Sequence, residues 1–174
     1  MRAALFAAML LLAGCASMDK SECLNADWYA VGLEDGARGH SVERLGAHRR
    51  ACAEHNVAPD GERYAAGHRE GLKSFCTYER GYALGRAGKT ASTTCPPALR
   101  DAFLAGYGRG RDLHGLTRRL EEVNTDIRKT KAGLSEPGVS PRTREQLAER
   151  LEGLSREAAQ LEQDIARLER RSRP

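Results

Sequence analysis

Aromatic residues are scarce in this chain, nine in 174, with a single tryptophan. Charge of one sign is scarce too, since 28 basic and 24 acidic side chains leave a net +4. So dilute a surplus gives no concentrated basic face and argues against a nucleic-acid partner. Long hydrophobic runs are missing apart from residues 3–13, eleven apolar residues in a row. A bilayer-spanning helix needs about 20, so that run is too short to be a stable span. With 30% charged and 40% hydrophobic residues, the chain is neither a polytopic membrane protein nor a simple disordered one. Five cysteines are present without any Cys-x-x-Cys spacing, which excludes a zinc ribbon and a thioredoxin-like redox pair.

The short apolar run follows Met1-Arg2 and leads into Leu12-Ala13-Gly14-Cys15. A brief positive start followed by a short apolar core reads as a signal peptide. The tetrapeptide resembles a bacterial lipobox, in which small residues admit the lipoprotein signal peptidase and the cysteine sulfur takes a diacylglyceryl group. Residues 1–14 are thus expected to be removed, with Cys15 the lipidated first residue of the mature chain. Two or more acyl chains hold a protein stably on a bilayer, whereas one does not. Ala16 stands where lipoproteins retained in the inner membrane typically carry Asp. The expected location is therefore the periplasmic face of an outer membrane, with the lipid on Cys15 as the membrane contact.

Export changes the meaning of the other cysteines. Cys23, Cys52, Cys76 and Cys95 form an even set in an oxidising compartment, which implies two disulfides. Three pairings are open. Cys23 with Cys52 and Cys76 with Cys95 is favoured, because each bridge would enclose about one helix or helix pair.

Composition shifts near residue 111. All eight aromatics that follow the signal peptide lie before it, together with the four cysteines. From residue 112 onward there is neither aromatic nor cysteine, and 25 of 63 residues are charged. Leu113, Leu116, Leu120, Val123 and Ile127 alternate by three and four, and Leu134 continues the register after polar Thr130. Pro137, Gly138 and Pro141 then break the helix, and Leu147, Leu151, Leu154, Ala158, Leu161, Ile165 and Leu168 resume the alternation. The pattern predicts an antiparallel coiled-coil hairpin over 112–174, with arms of roughly 35–40 Å. A two-helix hairpin leaves part of its seam uncovered, which suggests a protein partner or self-association. The expected organisation is a signal peptide at 1–14, a lipidated linker at 15–22, a Cys/Gly-rich helical module at 23–111 and the hairpin at 112–174.

The module repeats aromatic-x-x-Gly-x-x-x-Gly four times, at Tyr29/Gly32/Gly36, Tyr64/Gly67/Gly71, Tyr78/Gly81/Gly85 and Phe103/Gly106/Gly110. Spacings of three and four place these residues on one side of a helix. Glycine there admits a neighbouring backbone, a geometry best known from small-xxx-small pairs in membranes, and the ring is expected to cover the bare surface. The fold class expected is all-α: a small disulfide-stapled, glycine-rich bundle followed by the hairpin.

Together, Cys23, Asp27-Trp28, Gly32-x-x-Asp35-Gly36, His48-x-x-x-Cys52, Pro59-Asp60, Tyr64-x-x-Gly67-x-x-x-Gly71-Leu72, Cys76 and Cys95 resemble the bacterial lipoprotein family catalogued as domain of unknown function 2799. The resemblance covers roughly residues 20–112. It implies an envelope lipoprotein without an established activity, and it implies no catalytic residues.

Other chemistry is sparse. His48, Cys52 and His55 would share one face of a helix expected from residue 41 to 55, and with His68 or Cys76 could complete a four-ligand metal site. A disulfide at Cys52 removes the central ligand, so no metal or cofactor is expected. A periplasmic metal-binding protein or enzyme built on His48, His55 and His68 is the alternative. Glu34, Asp35 and Glu70 could supply a carboxylate pair, but Asp35 is expected to bond backbone beside Gly36, with Glu34 solvated. No Gly-x-Ser-x-Gly or His-Glu-x-x-His is present. The sequence therefore points to a non-enzymatic structural or partner-binding envelope protein.

Overall fold

Capping chemistry sets the helix starts. In a computed structural model, which describes residues 18–172, α1 (Lys20–Leu24) opens on a reciprocal capping box between Asp19 and Glu22. Asp27 caps α2 (Trp28–Arg38) by accepting from the Tyr29 and Ala30 N–H groups, and left-handed Gly39 ends it at φ 78°. A 3₁₀ turn at Val42–Arg44 leads into α3 (Leu45–Ala53), and Asp60 caps α4 (Gly61–Phe75) through the Glu62 and Arg63 N–H groups. The helix expected over 41–55 is thus shorter and begins as a 3₁₀ turn. Thr77 caps α5 (Tyr78–Arg86), Pro96-Pro97 open α6 (Pro97–Leu134), and the Ser140 hydroxyl accepts from Thr143 N–H at the start of α7 (Pro141–Ser172). There is no strand among the described residues, and the chain is all-α. Cys15, the signal-peptide run and the start of the linker lie outside the described residues.

The chain forms two compact units that divide within the last turn of α4, between Leu72 and Lys73. In the first unit α2 packs on α4. A Cβ at Gly32 would lie 2.1 Å from Tyr64 O, and one at Gly36 would lie 2.3 Å from His68 O. The reverse contacts match, with Gly67 facing Tyr29 O at 1.9 Å and Gly71 facing Leu33 O at 2.1 Å. Both helices advance together through these contacts, so they run parallel. The second unit repeats the device. Gly81 and Gly85 of α5 face Phe103 O and Tyr107 O, while Gly106 and Gly110 of α6 face Tyr78 O and Tyr82 O.

The element that recurs is therefore a main-chain carbonyl, not a ring. The first aromatic of each segment places its own carbonyl on its partner's first glycine. The expectation that each ring covers the bare surface is corrected: Tyr64 and Phe103 are fully buried, but Tyr29 is 38% exposed.

Two disulfides accompany these pairs. Cys23 joins Cys52, linking α1 to α3, and Cys76 joins Cys95, tying the entries of α5 and α6 together. The second bridge suits a parallel pair, whose connecting loop must carry the chain back to the starting end. Closing loops of 29 and 19 residues removes unfolded-state entropy worth about 3–4 kcal/mol per bridge. Replacing Cys76 and Cys95 together by alanine is expected to lower unfolding free energy by about that amount, read from urea denaturation. A loss below about 1 kcal/mol would show that the bridge constrains nothing the glycine contacts do not already hold.

The first unit's core collects Met18, Cys23, Trp28, Cys52 and Tyr64, with Ala26, Val31, Leu45 and Val57 against it. In the second unit Phe75 stacks on Phe103 at 5.8 Å between ring centres. Beyond the glycines, α6 continues without a break to Leu134 and pairs antiparallel with α7, as the Arg119–Glu157 (2.6 Å) and Arg150–Asp126 (3.5 Å) ion pairs register. Leu113, Val123 and Ala158 are buried in that seam, and Gly138 turns the hairpin at φ 82°. The composition boundary at residue 111 falls inside α6. One helix of 38 residues serves both the glycine pair and the hairpin, giving a rod of about 57 Å where a shorter arm was expected.

Candidate functional site

Trp28, Gly32, Asp35 and Gly36 form the buried stripe of α2. A carboxylate in that stripe, 5% exposed, must find partners or lose its charge. It finds three. His48 Nε2 lies 2.7 Å from Asp35 Oδ2, and the Tyr64 hydroxyl donates to the same oxygen at 2.8 Å. Arg44 Nε stands 3.0 Å from Oδ1 as an ion pair, without the alignment of a hydrogen bond. The expectation that Asp35 bonds backbone beside Gly36 is corrected. Close packing of α2 on α4 leaves its carboxylate facing side chains from α3 and α4 instead.

Burial pushes the Asp35 carboxyl up, but hydrogen bonds from His48 and Tyr64 and the charges of His48 and Arg44 outweigh it. The carboxyl is held below its ordinary value. The same contacts act oppositely on Tyr64, whose phenol is pushed well up by burial and then by its bond to ionised Asp35. An ionised carboxylate only accepts, so His48 carries a proton on Nε2, and Nδ1 is left without a partner. His68 stacks on Tyr64 at 6.0 Å and bonds the His40 carbonyl through Nε2 at 2.8 Å. Glu34 is exposed and pairs with Arg38 at 2.5 Å.

These placements do not bring His48, His55 and His68 together as a ligand set. His48 is committed to Asp35, His68 to a backbone carbonyl and Cys52 to Cys23, while α3 ends at Ala53, before His55. Among the described residues no group of three or more His, Cys, Asp or Glu is placed to hold a metal ion. Nor is any described helix long and apolar enough to cross a membrane. The Asp35–His48–Tyr64 cluster was not foreseen as a unit. Its one available signal was an acidic residue in the glycine stripe of an amphipathic helix.

Asp35 and His48 also line a cavity of about 450 Å³ in the first unit. The segment that builds this cluster and both glycine pairs, residues 27–112, matches the family model described as Protein of unknown function (DUF2799). Through this segment the chain belongs to the DUF2799 family. No curated protein and no solved structure matches the chain. The DUF2799 segment opens on the α2 cap, Asp27, and ends at Asp112 within α6. It holds every packed glycine of the two pairs, the whole Asp35 cluster and three of the four bridged cysteines. Cys23 and all of α7 lie outside it.

Proposed function

We propose that this DUF2799 protein is a lipoprotein anchored through Cys15 to the periplasmic face of an outer membrane. In this reading its folded part is a non-enzymatic scaffold whose hairpin docks a protein partner or a second copy. The observation that carries the scaffold is the continuity of α6. The arm that meets α7 is the same helix that is locked to α5 by four glycines and tied at its entry by Cys76–Cys95. A helix fixed in this way acts as a stiff post of about 57 Å, whose seam α7 covers with half-buried leucines. Supporting the anchor are Leu12-Ala13-Gly14-Cys15 after a short apolar run, and two disulfides, which persist in oxidising compartments.

Two experiments test it. In a diderm host, Cys15→Ser is expected to move the protein out of the membrane fraction and remove its fatty-acyl mass. A Cys15→Ser protein that stays with the membrane sinks the anchor. Photo-crosslinkers at the exposed α7 positions Glu149, Arg156 and Gln163 are expected to trap a homodimer or one discrete envelope protein. Monomer at all three positions would remove the docking role.

A further inference from the structure

Three peptide steps separate Cys15 from Met18, a span of at most about 11 Å in any conformation. Met18 is not free to follow its chain away from the fold. It is 8% exposed and belongs to the core that holds Cys23, Trp28, Cys52 and Tyr64. Met18 precedes the Asp19 cap and Cys23 is the fourth residue of α1, the two positions of a hydrophobic staple around the capping box. The Cys23–Cys52 bridge then ties α1 to α3. A lipid on Cys15 would therefore keep this end of the first unit within about 11 Å of its own attachment point. The headgroup layer of one leaflet is about 5–8 Å deep, so such a tether leaves the unit little clearance from the surface.

At that end α1 presents an apolar side chain to solvent. Leu24 follows Cys23 directly and is 58% exposed, against 37–43% for Tyr29, Leu33, Val42 and Leu104. Within four residues of either bridged cysteine, Lys20, Arg49 and Arg50 stand against Asp19, Glu22, Asp27 and Glu54. With no positive surplus there, a contact with lipid would owe nothing to anionic headgroups. One leucine offers much less apolar surface than a single acyl chain, which itself binds a bilayer only marginally. Leu24 therefore does not hold the protein on a membrane by itself. On a chain that lipid already holds there, it meets the surface at the high effective concentration of a short tether.

We propose that the exposed face of α1, centred on Leu24, rests in the headgroup layer of the bilayer that carries Cys15 and so orients the first unit on the membrane. The contact rests on the Cys15 anchor. The test uses the full acylated chain in phosphatidylcholine vesicles, with a photoactivatable diazirine analogue of leucine at position 24. Acyl mass on Cys15 is verified first. Irradiation is expected to give phospholipid adducts at residue 24, located by mass spectrometry, with the same yield after part of the lipid is replaced by phosphatidylglycerol. The same analogue at Leu33 is the control. Leu33 lies two residues from both Val31 and Asp35, which line a cavity together with Met18, so it points about 160° away from them around α2. Its adducts are expected to stay at the level of an unirradiated sample. Inserting about ten Gly and Ser residues between Ala16 and Ser17 is expected to lower the yield at position 24 about threefold. An unacylated Cys15 removes the anchor and this contact together, whereas an acylated chain without adducts at position 24 overturns the contact alone. Equal yields at positions 24 and 33, adducts that need phosphatidylglycerol, or a yield unchanged by the longer tether overturn it as well.

Discussion

Gly67→Ala is expected to dismantle the α2–α4 pair. The added Cβ would lie 1.9 Å from Tyr29 O, 2.8 Å from the Tyr29 carbonyl carbon and 2.9 Å from Leu33 N. All three are backbone atoms of a regular helix, so no side chain can swing aside. The helices must move apart by about an ångström or more, which opens all four glycine contacts at once because tightly packed interiors do not yield locally. A loss of about 3 kcal/mol or more is expected, at the upper end for an overpacked contact. Gly106→Ala, whose Cβ would meet Tyr78 O at 2.0 Å, is expected to do the same to α5–α6. Gly108→Ala and Gly115→Ala are the controls. They lie on α6 with nothing within 4 Å, and alanine there should raise stability by about 1 kcal/mol through helix propensity alone. Urea midpoints at constant slope separate the two classes. A Gly67→Ala protein within about 0.5 kcal/mol of the parent would mean that the close approach contributes little.

Asp35→Ala is expected to destabilise the protein by about 3–5 kcal/mol, the usual result of removing one partner from a buried charged cluster. It leaves His48 Nε2 and the Tyr64 hydroxyl without their shared acceptor and Arg44 without its counter-charge. Asp35→Asn keeps the shape and one acceptor oxygen but loses the charge, so it should fall between parent and alanine. The pH dependence has a definite sign. Because the folded carboxyl titrates below its unfolded value, Asp35 contributes fully above the unfolded value of about 3.9. That contribution is lost as pH falls through the folded value. Parent stability should therefore drop steeply below about pH 4, and Asp35→Asn should flatten part of that acid limb. Asp27 and Glu43 are also held low, so some acid dependence persists in the variant. Parallel acid limbs for the two proteins would show that Asp35 is not ionised in the fold.

Much of the architecture could be read along the chain. Glycines at four-residue spacing behind an aromatic marked four helices that tolerate close contact, and the three-four alternation of leucines marked both hairpin arms. Cysteine spacing favoured the pairs Cys23–Cys52 and Cys76–Cys95, which are the two bridges of the structure. Each of these signals is local, carried by residues within a turn or two of one another or by loop length. The Asp35 cluster is not local. His48 and Tyr64 lie 13 and 29 residues away, and on its own helix Asp35 is one acidic residue next to another. The histidines misled for the same reason. His48 and Cys52 do share a buried face, but the ligand partners imagined for them depend on which way neighbouring helices turn.

The sequence alone determined the periods, the break at Pro137, Gly138 and Pro141, and the places where a backbone could come close. These follow from side-chain size and backbone freedom, which a residue carries wherever it sits. Only the tertiary structure decided which glycine helix takes which partner, that both pairs run parallel, and that α6 passes unbroken through the change of composition at residue 111. Four equivalent glycine stripes can pair in several ways, and the choice rests on connection lengths, the Cys76–Cys95 tie and the burial of Asp35 against His48 and Tyr64. Those are relations between distant residues, and they acquire an energy only once the backbones are in contact.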